Sequence, residues 1–304
     1  MSRVIWPTCA RSRFVPERIR PSARFRVHTA RSAAITERLK PLGSPTVPAQ
    51  LHSLLPDVIA IARRAGMAIM PYFRGVYATA HKEDHSPVTD ADHAADAVIK
   101  PALAALLPGV PVVTEESVAA APTPEALAQA RYWLVDPLDG TKEFVADRED
   151  FTVNIALVEA RRPILGVLHV PARGLTYAAA GPGTAVKIVG EGPPRPIAAR
   201  AAPAEGLVVA YSRSHDKRHD IEQFLAGYRV AERVIMGSAA KFGLIAEGRA
   251  DLYPRFGPTS EWDTAAGQAI LEAAGGSVTD RAGAPLAYGK PGFLNPSFVA
   301  KGRG

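Results

Sequence analysis

Cysteine is almost missing from this 304-residue chain: Cys9 is the only one, which excludes an intrachain disulfide and any cysteine-ligated metal cluster. Any bound metal has to be held by oxygen or imidazole. Long apolar runs are missing as well. No stretch approaches the roughly 18 uninterrupted apolar residues that a bilayer-crossing helix needs, so the chain is expected to be soluble or at most peripheral to a membrane. Positive charge is scarce over most of the length, although the formal net charge is +6. Residues 1–50 hold nine Arg and one Lys against two acids, which leaves 26 basic and 28 acidic residues in the other 254. The globular part is therefore slightly acidic, and nucleic acid is not an expected partner.

The Arg-rich, acid-poor leader, residues 1–47, has little apolar periodicity and reads as a disordered tail. A transit peptide has a similar composition, and a start codon assigned too far upstream would also yield such a segment. A hydrophobic content of 47% supports a substantial core, as one large domain or two lobes.

From Leu54 to Met70, apolar residues recur at helical spacing (Leu55, Ile59, Ala62, Ala65, Ile69), which predicts an amphipathic first helix. Thr89 is a candidate cap for a second helix running to about Leu107, with Asp90 and Asp92 in its first turn and a kink expected at Pro101. Strands are expected at Val110–Thr114 and Tyr132–Val135. Phe151–Val158, Ile164–His169 and Leu175–Ala179 read as an antiparallel meander. Beyond the Pro and Gly-rich stretch 181–204, strands at Leu207–Ala210, Arg233–Met236 and Asp251–Tyr253 alternate with helices at Lys217–Tyr228, Ser238–Glu247 and Thr264–Ala274. There is no internal repeat. The expected architecture is a layered α/β (α+β) sandwich of alternating helix and sheet layers. An N-terminal lobe, 48–185, carries paired helices on a mainly antiparallel sheet, and a C-terminal lobe, 186–304, completes the site.

Acidic residues fall at element ends in four places: Asp90 and Asp92, Glu115 and Glu116, Asp136 and Asp139, Glu261 and Asp263. Singly, such residues are most often helix caps or dipole partners. Carboxylates converging from separate strands would repel one another unless cations filled the cluster, and oxygen-only ligation favours Mg²⁺, or the chemically similar Mn²⁺, over zinc. In Asp136-Pro137-Leu138-Asp139-Gly140-Thr141 the glycine allows close backbone approach, and Thr141 opens a turn whose amides and hydroxyl can receive phosphate oxygens. An ordinary Asp-Gly turn is the plain alternative for Asp139-Gly140 alone.

Thr114-Glu115-Glu116-Ser117, Asp136 to Thr141 and Glu261-Trp262-Asp263-Thr264-Ala265-Ala266-Gly267 together resemble the three signatures of the inositol monophosphatase superfamily of magnesium-dependent, lithium-inhibited phosphatases. Within it, Asp136–Phe144, Phe151–Leu157, Pro163–Val167, Tyr211–His215 and Tyr253–Pro258 are similar to CysQ-type 3'(2'),5'-bisphosphate nucleotidases. The resemblance covers roughly residues 50–300. It implies one metal site of Glu115, Asp136 and the Leu138 carbonyl, and a second of Asp136, Asp139 and Asp263. It places phosphate on Gly140 and Thr141, and it makes Asp92, paired with the Thr141 hydroxyl, the group that deprotonates the attacking water. The position six residues before the signature Trp is an acid in inositol phosphatases and Phe256 here, which disfavours an inositol substrate and makes Phe256 a candidate to contact a base or pack the pocket wall. Arg213, Ser238, Lys241 and Arg255 are candidates for a second phosphate or the ribose, with surface charge or helix capping as the plain reading. His169 and His215 are weaker candidates.

The implied reaction is hydrolysis of the 3'-phosphate of adenosine 3',5'-bisphosphate, formed in sulfate assimilation, or of its phosphosulfate parent. The setting is the cytoplasm or the inner face of the inner membrane; oligomeric state is left open. The alternatives are an inositol or broad sugar phosphatase, a haloacid-dehalogenase-type phosphatase, and a cation and nucleotide-binding regulator. In the dehalogenase type the two aspartates are two residues apart, not three.

Overall fold

A computed structural model describes residues 49–76, 78–81, 87–213 and 218–304. The leader 1–47, His215 and the expected helix start at Lys217 lie outside these residues.

Helix α1 (Ala49–Ile69) buries Leu54, Val58, Ile61, Ala62, Ala65 and Ile69. Leu55 and Ile59, placed on the buried face by the sequence, flank that stripe and are only partly covered. A short antiparallel hairpin, β1 (Thr79–His81) and β2 (Pro87–Thr89), leads into α2 (Asp90–Leu106). Thr89 and Asp92 form a capping box at its start: the Thr89 hydroxyl oxygen accepts the Ala91 amide and Asp92 accepts the Thr89 amide. The helix span continues through Pro101, because Ala91, Ala95, Ile99 and Leu103 keep both halves on one buried face and the proline removes only one amide donor.

Next come β3 (Val112–Thr114), α3 (Pro124–Gln129), β4 (Arg131–Asp139) and α4 (Thr141–Val145). The meander follows as β5 (Thr152–Glu159), β6 (Arg162–Val170) and β7 (Leu175–Ala179). The Pro and Gly-rich stretch 181–204, around the expected lobe division, supplies β8 (Val186–Val189) and β9 (Arg195–Pro196). Strands β3 to β9 form one seven-stranded sheet in chain order, parallel at β3/β4 and antiparallel elsewhere, so a division at 185/186 falls between two neighbouring strands of one sheet. Pro196 sits where a missing amide is tolerated, on the edge strand.

The remainder comprises β10 (Leu207–Tyr211), α5 (Arg218–Leu225), β11 (Val230–Ile235), α6 (Ala240–Ala246), β12 (Leu252–Arg255), α7 (Ala265–Ala273), β13 (Ser277–Asp280) and β14 (Phe298–Lys301). Its five strands are ordered β11-β10-β12-β14-β13.

Period-two alternation stacks the layers. Along β4, Trp133 and Val135 face α1 and α2, while Tyr132 and Leu134 face α6 and α7. In the second sheet Tyr253, Phe298 and Ala300 meet α6 and α7 from the other side, and Val209, Leu252 and Val299 face Ile221 and Leu225 of α5. The result is helix, sheet, helix, sheet, helix, held by apolar side chains worth about 1.5–3 kcal/mol each on full burial.

Candidate active site

The site is assembled where four element ends meet. In β3 and β4 the parallel register sets Thr114 beside Val135, so the next residues, Glu115 and Asp136, fall at the same end of the two strands. Strand β4 then carries an extra residue. Asp136 faces Asn154 and Asp139 faces Thr152, three steps on one strand against two on the other. Such a bulge turns consecutive ladder positions toward a common point, which brings Asp139 back beside Asp136. The sequence reading ended this strand at Val135; it runs through the whole Asp-Pro-Leu-Asp segment.

Gly140 follows with φ +90°, a conformation costly for any residue with a Cβ, and α4 starts at Thr141. The second end is the start of α2, which supplies Asp92. The third is the start of α7, where Asp263 accepts the Ser260 amide at 2.9 Å. The fourth is the loop from β11 into α6, carrying Ser238 and Ala239, with Lys241 in the first turn of α6.

Carboxylate oxygens of Asp136, Asp139 and Asp263 lie within 4.8 Å of one another. One oxygen of each already accepts a hydrogen bond. Asp139 Oδ2 accepts the Ala239 amide at 2.5 Å, Asn154 Nδ2 at 3.2 Å and Thr152 Oγ1 at 3.4 Å. Asp136 Oδ1 accepts the Leu138 amide at 3.1 Å. Burial pushes the Asp136 carboxyl well above the usual range, and the charges of Glu115, Asp139, Asp263 and Asp92 add to it. Asp263 is raised in the same way by burial and by Asp139 and Glu115. Burial raises Asp139 as well, against the opposing pull of Lys241 and Asn154.

These groups resist ionising together, and a hard divalent cation is the natural counter-charge. The donor set fits one: Asp136, Asp139 and Asp263 would hold it, with Glu115 and the Leu138 carbonyl beside them.

Asp92 and Thr141 are brought together. Asp92 Oδ2 accepts both the amide and the hydroxyl of Thr89, at 2.8 and 2.7 Å, leaving Oδ1 toward Thr141 Oγ1 at 3.3 Å. The single Thr141 hydroxyl hydrogen has a second acceptor, the Leu138 carbonyl at 3.2 Å.

A cavity of about 480 Å³ opens over the acidic cluster and Thr141, whereas Asp92 is buried and is not part of its lining. Besides the acids, its lining includes Gly140, Thr141, Ser238, Lys241 and Arg255, each anticipated from sequence. Lys241 Nζ donates to the carbonyls of Ser238 at 2.5 Å and Met236 at 3.2 Å, and it stands 4.9 Å from the centre of the Tyr253 ring. Arg255 is buried and donates to the Pro258 carbonyl at 2.6 Å.

Two anticipated residues are elsewhere. Phe256 does not line the cavity. It neighbours Arg255 on an extended segment and so faces away from it, edge-on to Phe224 of α5 at 5.5 Å between ring centres. Arg213 does not line it either: its Nη1 donates to Glu143 and Asp150, 3.2 Å from each. His169 is structural, with Nδ1 near the Leu175 carbonyl and the Thr176 hydroxyl and its ring against Gly66.

The sequence reading missed the groups that hold Asp139, namely Thr152, Asn154 and Ala239. For the two strand residues the signal existed, since both lie on a strand that must pair with β4. For Ala239 there was none.

Layers, acidic centre and the Asp-Gly-Thr turn at the start of α4 are those of a metal-dependent phosphatase. The chain belongs to the inositol monophosphatase family, whose model matches residues 50–302. It is 45% identical over 250 residues to the 3'(2'),5'-bisphosphate nucleotidase CysQ of Escherichia coli K12, covering 81% of this chain and 98% of that protein. It is 39% identical over 254 residues to the CysQ of Buchnera aphidicola from Acyrthosiphon pisum, covering 82% and 94%. Among solved structures, CysQ from Bacteroides thetaiotaomicron aligns with TM-score 0.71 and 34% identity, over 83% of this chain and 98% of that one. The Thermotoga maritima IMPase aligns with TM-score 0.66 and 26% identity, over 80% and 90%.

Proposed function

We propose that this chain is a Mg²⁺-dependent nucleotidase that removes the 3'-phosphate of adenosine 3',5'-bisphosphate, giving AMP and phosphate, and that it also accepts 3'-phosphoadenylyl sulfate. One observation carries the choice: a single cavity is lined at once by the Asp136, Asp139 and Asp263 cluster and by Lys241, Arg255 and Ser238, the donor types that a second phosphate needs. The names of the relatives support the same substrate class. Mn²⁺ is the expected substitute metal and Li⁺ the expected inhibitor.

Bound Mg²⁺ would neutralise phosphoryl charge and lower the pKa of water. The rest falls to the chain's own groups. The amides and hydroxyl at Gly140 and Thr141 receive phosphate oxygens at the opening of α4. Water attacks phosphorus directly, and its proton passes through Thr141 Oγ1 to Asp92 Oδ1. The bond from phosphorus to the 3' oxygen breaks, its electron pair stays on that oxygen, and solvent reprotonates the resulting alkoxide. Asp92 Oδ2 keeps both Thr89 hydrogen bonds throughout, so the carboxylate does not rotate.

Among the described residues no helix is long and apolar enough to cross a membrane, which is compatible with action in the cytoplasm or on the inner face of the inner membrane. Phosphate release from adenosine 3',5'-bisphosphate, 3'-phosphoadenylyl sulfate, inositol 1-phosphate and fructose bisphosphate, with and without Mg²⁺ and Li⁺, tests the proposal. The two nucleotides should be the fastest substrates. Much faster turnover of inositol 1-phosphate would overturn the substrate assignment, and a trapped phospho-Asp136 would overturn direct attack by water.

A further inference from the structure

Beside the acidic centre, where Glu143 and Gly237 line the cavity, lies an ion cluster that takes no part in the reaction above. Arg213, just past β10, places Nη1 3.2 Å from Glu143 Oε1 of α4 and 3.2 Å from Asp150 Oδ2. The same Asp150 oxygen accepts the Gly237 amide at 2.5 Å. Glu143 is packed so tightly on this loop that a Cβ on Gly237 would fall 2.3 Å from Glu143 Cγ. Ser238, the next residue, has φ +48°, a left-handed conformation that a serine holds only when its surroundings impose it. The residue after that, Ala239, gives its amide to Asp139 Oδ2 at 2.5 Å. Burial pushes the Asp150 carboxyl up, but the Gly237 amide and Arg213 outweigh burial and hold it below the ordinary range.

We infer that Arg213 and Asp150 act as a clamp that positions the 237–239 loop and, through the Ala239 amide, fixes the orientation of the Asp139 carboxylate toward the cation site. Arg213 is thereby a positioning residue and not a ligand of substrate phosphate. Three links make the chain of contact: Arg213 to Asp150, Asp150 to Gly237, and Ala239 to Asp139. Without the guanidinium, Glu143 and Asp150 repel each other and the Gly237 anchor weakens. The strained Ser238 conformation then relaxes, and Asp139 loses its shortest hydrogen bond.

The inference rests on the metal-dependent phosphatase reading but not on the choice of nucleotide. The test compares the full-length chain with Arg213→Gln, Asp150→Ala and the double variant. Three quantities are measured: amide hydrogen exchange at Gly237 and Ala239 without metal, Mn²⁺ binding by calorimetry, and kcat and KM on adenosine 3',5'-bisphosphate and 3'-AMP. Each single variant should speed exchange at Ala239 and weaken Mn²⁺ binding by about tenfold to a hundredfold, and should lower kcat alike on both nucleotides. The double variant should be no worse than the worse single one, because both remove one clamp. Arg213→Lys, which keeps a cation between the carboxylates, should recover most of the loss. If Asp150→Ala does not fold, Asp150→Asn carries the comparison. Additive losses, unchanged exchange at Ala239, or a KM increase confined to the bisphosphate would each overturn the clamp. A wild-type chain inactive on both nucleotides would instead overturn the substrate assignment, and exchange and Mn²⁺ binding would still decide the clamp.

Discussion

The Ala239 amide donates to Asp139 Oδ2 at 2.5 Å across a separation of 100 residues, tying the loop that lines the substrate cavity to a carboxylate of the acidic centre. With Asn154 and Thr152 on the same oxygen, Asp139 is left with one oxygen to offer a cation, and the offered oxygen is fixed in direction.

Removing charge from the cluster should separate activity from stability. Asp136→Asn is expected to lower kcat/KM by more than about a hundredfold, since it alters a first ligand and changes to outer partners alone cost that much. In chelator the same variant should melt higher than wild type, by roughly 2–4 °C, because burial and four neighbouring carboxylates disfavour the ionised group it replaces. Differential scanning calorimetry with and without Mg²⁺ checks this, and added Mg²⁺ should raise the wild-type melting temperature far more than the variant's. Equal Mg²⁺ stabilisation of both proteins would remove Asp136 from the metal site.

Asp92 and Thr141, proposed to activate the water, should behave differently. Thr141→Val keeps the volume and removes the hydroxyl between Asp92 and the Leu138 carbonyl, so kcat should fall about 10² to 10⁴-fold while Mn²⁺ affinity changes little. Steady-state kinetics together with calorimetric Mn²⁺ titration distinguish this from a metal-ligand defect, in which affinity would fall too.

Asn154→Ala should weaken Mn²⁺ binding about tenfold to a hundredfold without touching any substrate contact, because its Nδ2 holds the outer oxygen of Asp139 at 3.2 Å. An unchanged calorimetric Mn²⁺ affinity would show that Ala239 and Thr152 suffice to hold that carboxylate.

His169 should make the fold acid-sensitive. Burial lowers its pKa from 6.5 to about 4, so the folded protein keeps the ring neutral where the unfolded chain protonates it. Its contribution is complete above about pH 6.5 and is lost as pH falls through about 4, amounting to at most about 3 kcal/mol. Urea midpoints across that window should fall more steeply for wild type than for His169→Gln, and matching slopes would place the acid sensitivity elsewhere.

Much of the fold was readable because it rests on local periodicity. Strand β7 matches its expected bounds, and α2 and α7 match theirs to within a residue at each end. The strands that escaped notice, β1, β2, β8, β9, β13 and β14, have two to four residues each, too few to show alternation. Phe256 was a different kind of miss. It was considered by its distance from Trp262, whereas the two-residue period of the segment 252–256 already sets it on the face opposite Arg255.

What the sequence determined by itself was the chemistry. Oxygen donors without cysteine, acids at element ends and an Asp-Gly-Thr turn point to a hard cation beside a phosphate once the chain brings them together. The tertiary structure decided the direction of each group. Only folding shows that the β4 bulge brings Asp139 back beside Asp136, that Asp92 turns one oxygen to Thr89 and the other to Thr141, and that Arg213 is spent on Glu143 and Asp150. A side chain's identity is fixed by its codon and its periodicity by its neighbours. Its hydrogen-bond partners are contributed by segments up to 128 residues away, whose positions depend on the packing of the layers between.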